Sequence, residues 1–412
     1  MKDNRLFVVI MTIFIDMLGI GILIPVIPLL LTDPRAPFFL LPSNLTLEQG
    51  FIMLGFLTAS FPLAQFFATP ILGQLSDRYG RKKILIISLI GTCFSYLLFA
   101  FGILIKNIPL LFISRILDGI TGGNIAVAQA AIADITKPED RAKNFGLMGA
   151  AFGLGFIIGP FLGGVLSNNK LLPWFNASTP FWFAAILCAI NITSVIFIFS
   201  ETHVTPNKTL KIKWEKSLLN IVHAFNFKSL RTLFVTSFLV QGGFTFFTTF
   251  FAVYLIKKFG FTEGNIGNFF AFVGIWIVIT QAAITRFVSS KFNERQVLRV
   301  SLPLFGICTL LYVLPNASWQ LFALVPFFSI FNGLNMANMT GLVSRSASGE
   351  IQGEVLGINA SVQALAQSIP PILSGFIAAA LNVYFPILIS GTILIFAGIF
   401  FNVFVKSTKN NV

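Results

Sequence analysis

Apolar runs dominate this chain. They fall near residues 6–31, 49–72, 84–105, 109–133, 142–166 and 180–199. After a polar stretch they resume near 231–256, 265–288, 297–315, 319–343, 353–381 and 384–405. Each is long enough to cross about 30 Å of hydrocarbon as a helix. Lipid leaves such runs little choice of structure, because a backbone amide there must be satisfied and a helix does so within one segment. The expected fold class is an all-α polytopic membrane protein of twelve transmembrane helices. Its domains are a first six-helix bundle at 1–199, a linker at 200–230 and a second bundle at 231–412. Composition agrees: 10% of the 412 residues are charged and 56% are hydrophobic, too little charge to cover a soluble body of this size. The first run is longer than the apolar core of a signal peptide and no small-residue cleavage site follows it.

The net charge of +13 is distributed by side rather than gathered into a nucleic-acid face. With the N-terminus inside, 22 basic residues fall on the inner side and 5 on the outer, with Arg115 alone inside a span. The positive-inside rule then places both termini in the cytoplasm. In the linker, "KIKWEKSLLNIVHAF" sets Trp214, Leu218, Ile221, Val222 and Phe225 at helical spacing against Lys211, Lys213 and Lys216. That pattern reads as a basic amphipathic helix on the inner membrane face, with a docking site for a partner protein as the alternative. Cys93, Cys188 and Cys308 each sit in an apolar run without C-x-x-C spacing, and the two histidines form no ligand cluster. No metal, cofactor or enzymatic constellation is expected.

The halves echo each other. Gly146, Pro160 and Gly164 of the fifth span recur as Gly357, Pro371 and Gly375 of the eleventh, at an offset of 211; "SRILDG" at 114–119 aligns with "FSIFNG" at 328–333, at 214. Two six-span repeats around a central site are a transporter architecture.

The loop after the second span, "GQLSDRYGRKKIL", resembles the signature loop of the major facilitator superfamily, G-x-L-x-D-R-x-G-R-K/R, with Gly73, Asp77, Arg78, Gly80, Arg81 and Lys82 in place. Positive-inside topology alone accounts for the bases but not for the acid or the glycines. The second-half counterpart, "RFVSSKFNERQVL", has lost the first glycine and the acid, to Arg286 and Ser290. The resemblance implies a gate in which Asp77 caps a second-half helix, the eleventh near Gly353, while Arg81 pairs with Asp134, in the conformer that closes the cytoplasmic side. Arg115 to Gly119 resembles the family's fourth-span motif. "GLGFIIGPFLGG", with Gly155, Gly159, Pro160, Gly163 and Gly164, resembles the element of its antiporter branch. Small residues at this spacing let helices approach closely. "FIDMLGIGILIPVIP" and "IADITKPEDRAKNFG" are similar to the drug:proton antiporters, tetracycline efflux proteins in particular.

Asp16 is the one carboxylate in the first run, about midway down it. An intramembrane acid is a functional candidate by default. Arg115 and Asp118 are i, i+3 neighbours on one helical face, so Asp118 has a partner. Asp16 has none on its own helix, burial disfavours its charged form, and it is the better candidate for the proton carrier. The alternative is a structural acid paired with Arg115 to pin two helices together. In the second half, Gln241, Phe244 and Phe247 of the seventh span and Asn332, Asn335 and Met336 of the tenth suit an amphipathic organic substrate. The expected function is proton-coupled export of a small organic molecule by a monomer in the bacterial inner membrane. An importer or facilitator of a metabolite and a non-transporting sensor on the same fold are the rivals.

Overall fold

The structure, a computed structural model, describes residues 4–136, 141–202, 212–227, 230–346 and 352–405. Lys2, Lys137, Lys208, Lys211, Lys228, Lys406 and Lys409 therefore lie outside the described residues. Among the described residues the secondary structure is helical throughout, without strands. The first half comprises α1 (Asn4–Thr32), α2 (Leu47–Tyr79), α3 (Arg81–Leu104), α4 (Ile108–Thr121), α5 (Asn124–Ile135), α6 (Arg141–Leu166) and α7 (Thr179–Phe197). The linker helix α8 (Lys216–Asn226) follows. The second half runs through α9 (Arg231–Phe259), α10 (Glu263–Ile279), α11 (Thr285–Ser289), α12 (Glu294–Leu311), α13 (Ser318–Arg345), α14 (Gln352–Ala380) and α15 (Phe385–Phe404).

Eleven spans among the described residues are long and apolar enough to cross a membrane. The ninth predicted run, 297–315, corresponds to α12, whose apolarity Arg295 and Arg299 dilute. It is nonetheless packed into the bundle, against α13 and α15. Two spans are interrupted. The fourth breaks at Gly122–Gly123 between α4 and α5, and the eighth carries a π-helical turn at Thr280–Ile284 between α10 and α11.

The packing scheme repeats. α3 lies on α4 and α7 as α12 lies on α13 and α15, and α1 lies on α6 as α9 lies on α14. The halves meet chiefly along α2–α14 and α6–α10. A charge-swapped pair marks the same symmetry. Arg81 at the start of α3 bonds Asp134 at the end of α5 (3.1 Å), and Glu294 at the start of α12 bonds Arg345 at the end of α13 (3.1 Å).

Both seams between halves are tight at one end only. A Cβ added to Gly164 would lie 2.6 Å from the carbonyl oxygen of Glu263 and 3.1 Å from Cα of Gly267. A Cβ on Gly375 would lie 2.8 Å from the carbonyl oxygen of Phe51, and one on Gly55 would run into the Pro371 carbonyl. Toward the other end of the same helices, Gly149 and Gly153 of α6, Gly73 of α2 and Gly357 of α14 face open space. The bundle is thus sealed at the end where α2 and α10 begin. It parts at the end where α1 begins, α15 ends and α8 sits.

Candidate functional site

A pocket in the first half is lined by Asp16, Ile20, Phe61, Thr92, Tyr96, Asp118, Gly122 and Ile125. Arg115 donates from Nη1 to Asp118 Oδ2 at 2.6 Å, and its guanidinium lies 4.5 Å above the Phe61 ring. Arg115, Asp118 and Asp16 are all buried. The ion pair of Arg115 is therefore with Asp118, while Asp16 Oδ2 is buried without a hydrogen-bond partner. Removal from water is expensive for an ion, and a buried guanidinium is tolerated here because a carboxylate and an aromatic face meet it. The structural alternative for Asp16, a pair with Arg115, is not formed.

Asn124 escaped notice in the sequence. It is fully buried at the first turn of α5 and approaches Asp16 from across the break, yet both its side-chain nitrogen and oxygen lack a completed hydrogen bond. The break follows from the adjacent glycines of "TGGN", which let the chain run close against α2. Gly119 abuts the backbone of Phe61, Gly123 that of Thr69, and the Gly122 carbonyl accepts from Gln65 Nε2 at 2.9 Å. The break brings Gly122, and Ile125 at the start of α5, into the lining of the pocket that holds both acids. Two glycines in mid-span were the readable signal.

A second pocket lies mostly in the second half. Phe244 and Phe247 of α9, Phe269 and Phe270 of α10, Phe328 and Asn332 of α13, and Tyr312 line it, with Phe156 reaching in from α6. The rings interlock, with Phe247 4.8 Å from Phe328 and 5.5 Å from Tyr312 between centroids. The Tyr312 hydroxyl is buried without a partner. Of the residues expected here, Phe244, Phe247 and Asn332 line the pocket. Gln241 lies one turn from it toward the open end of α9, half-buried. Met336 is exposed one turn beyond Asn332. Asn335 does not reach the pocket: it accepts from Ser301 Oγ at 2.6 Å and ties α13 to α12. Phe156, Phe269, Phe270 and Phe328 were hidden in the sequence among 49 phenylalanines, and nothing local singled out Tyr312.

The glycine motif of α6 has two faces. Gly155, Gly159 and Gly163 press on α1 at Met17, Leu18, Gly21 and Ile22, inside the first half, whereas Gly164 meets α10 of the second. Pro160 lies against Gly21 on one side and Gly267 on the other.

The α2–α3 turn uses Gly80 at φ +97°, where a side chain would be strained and would strike the Glu201 carboxylate. Arg81 bonds Asp77 (2.5 Å), Asp134 and the Ser76 hydroxyl, and Asp134 also accepts from Thr202. Arg78 lies over the Tyr79 ring. The expected Arg81–Asp134 pair is present, but it lies within the first half and is formed while this end of the bundle is open. A pair formed with this end parted is not confined to the conformer closed there, which corrects that part of the expectation. Asp77 turns to Arg81; its expected partner near Gly353 falls among side chains outside those described. The open N-terminus of α3 is capped by Glu201, which accepts from the amides of Arg81 (2.9 Å) and Lys82 (3.1 Å).

Two symmetric helical halves, sealed at one end, parted at the other and each holding a pocket, are the architecture of a membrane transporter. The model of the Major Facilitator Superfamily matches residues 9–369 and 233–411, and the chain belongs to that family. It is 30% identical over 379 residues to the class H tetracycline resistance protein of Pasteurella multocida, covering 91% of this chain and 89% of that protein. Multidrug resistance protein 2 of Bacillus subtilis is 28% identical over 418 residues, covering 100% and 97%. Among solved structures, a D-xylose–proton symporter superposes with a TM-score of 0.78 at 16% identity, covering 99% of both chains.

Proposed function

We propose that this chain exports amphipathic organic molecules in exchange for protons, with Asp16 as the proton site, Arg115–Asp118 as its fixed electrostatic partner and the aromatic pocket as the substrate seat. One observation carries the reading: a buried carboxylate oxygen without a partner stands in a cavity while the neighbouring arginine is held by another acid. Tetracycline and multidrug resistance relatives support export as the direction. The aromatic rings supply apolar contact, and the Tyr312 hydroxyl, Thr248 and Asn332 supply the few polar groups such a pocket needs for orientation.

In this reading 1–199 and 231–412 are the moving bundles and 200–230 joins them. The basic, open end faces the cytoplasm of a bacterial cell, so the conformer is inward-facing. Each pH unit of gradient supplies about 1.4 kcal/mol per proton, and the potential about 2.3 kcal/mol per 100 mV. Protonation of Asp16 uses that energy by shifting the balance of inward- and outward-facing conformers. Everted vesicles with an imposed pH gradient test this. Adding a tetracycline or a lipophilic dye should release protons from the acidified lumen and accumulate the compound inside. Accumulation that ignores the gradient, or compound and protons leaving the lumen together, rejects antiport.

A further inference from the structure

The linker helix α8 has two unlike faces. Ser217 and Ala224 are buried, with Asn220 and Ile221 half-buried beside them, at the i, i+3, i+4, i+7 spacing of one helical stripe. Ser217 Oγ donates to the Phe66 carbonyl of α2 at 2.8 Å, and Asn220 Nδ2 donates to Ser361 Oγ of α14 at 2.9 Å. Just ahead of the helix, the Lys213 backbone exchanges two hydrogen bonds with Gln74 of α2 (2.9 and 3.2 Å). α8 thus holds one half by Ser217 and the other by Asn220. It sits where α2 and α14, joined tightly at Gly55 and Gly375, have separated.

The opposite face is apolar and uncovered: Trp214, Leu218, Val222 and Phe225 are each more than half exposed. This inverts the arrangement of a helix on a soluble body, whose polar face looks outward. Phe67 of α2, whose carbonyl lies 3.5 Å from Ser217 Oγ, is exposed too. Lys213, Lys216 and Arg231 are exposed around this face. A membrane surface with anionic headgroups supplies what each part lacks: hydrocarbon for the aromatic and aliphatic side chains and negative charge for the bases.

We propose that α8 is a lipid-seated strut between α2 and α14: its polar stripe props the basic end open, and its apolar face rests in an anionic leaflet, so that leaflet charge biases the conformer. Closing that end brings α2 and α14 together where α8 now lies, so at least one of the Ser217 and Asn220 bonds must break and the helix must move outward. The inference goes beyond the exchange reading and requires only that the basic end opens and closes.

The test uses the full chain in nanodiscs of phosphatidylcholine with or without phosphatidylglycerol, with spin-label pairs across the basic end. Phosphatidylglycerol should enrich the open distance, by up to about fivefold per lysine engaged. Lys213→Gln with Lys216→Gln should remove most of that response, leaving the share carried by Arg231. Asn220→Ala should deplete the open distance in either lipid. A spin label at Val222→Cys should relax with oxygen rather than with a water-soluble nickel chelate. A lipid response unchanged in the double glutamine variant, or a Val222 label open to nickel as for a protein-docking face, overturns the proposal. Proton-driven flux in vesicles is a separate measurement, so failure of the exchange reading leaves a different signature.

Discussion

Gly164→Ala places one methyl group into the seam between α6 and α10. The added carbon would sit 2.6 Å from a carbonyl oxygen and 3.1 Å from a second helix's Cα, both backbone atoms with no rotamer by which to retreat. Overpacking of this kind typically costs about 1–3 kcal/mol. Both contacts belong to the opposite half, so the penalty falls on the conformer sealed at that end and not on the fold of either bundle. A tenfold population change corresponds to about 1.4 kcal/mol, so the ratio of the sealed to the opened conformer should fall about five- to 150-fold. Spin labels at Asn44 and Asn316, exposed loop positions of the two halves at the sealed end, would report it as growth of a longer distance. Gly149→Ala on the same helix faces open space and is the silent control. An unchanged distance distribution in Gly164→Ala, with protein yield intact, would refute the reasoning that this seam is a conformer-specific backbone contact.

Asp16→Asn keeps the shape of the first pocket and removes its titratable group; uphill accumulation should vanish while substrate binding persists, as measured by flux in vesicles against equilibrium dialysis. Asp118→Asn leaves the Arg115 guanidinium buried without its counterion, a loss of about 3–5 kcal/mol for broken pairs of this kind, so folded yield and thermal midpoint should fall together with transport. At the sealed end, burial opposes the charge on Asp33, but hydrogen bonds from the side chain and backbone of Arg35 and its positive charge outweigh it and hold the carboxyl below the usual range. A lowered carboxyl adds stability that is complete at neutral pH and fades as pH falls through its folded-state range. Asp33→Asn should therefore flatten the fall in thermal midpoint below about pH 4.

The spans were legible because lipid demands contiguous apolarity, a constraint written residue by residue. Asp16, Arg115 and Asp118 stood out for the same reason, as charges where charge is expensive. What the sequence hid were facts of rotation and distance. Asn332 and Asn335 are one residue type a turn apart on one helix, but only the first faces the pocket, because Ser301 of another helix claims the second. Glu201 caps α3 from 120 residues away, where nothing in the local pattern announces a cap. Ile221 fits the apolar stripe of the linker helix by spacing, yet it packs on the bundle beside Ala224. Asn124 looked like one more polar residue after a glycine pair, and its meaning depends on which helix crosses there.

The two glycine faces of α6 have different mechanical fates. In the proposed exchange cycle the face on α1 stays joined, so α6 and α1 travel as one body, and the face on α10 parts and rejoins at each turnover. Interlocked leucines there would have to find new rotamers each time the seam opened and recover the old ones each time it shut. Where Gly164 meets Glu263 and Gly267 the contact is backbone against backbone, so that stretch of the seam can exclude water when shut and release without a rotameric search, much as a ground-glass joint seals by surface rather than by thread.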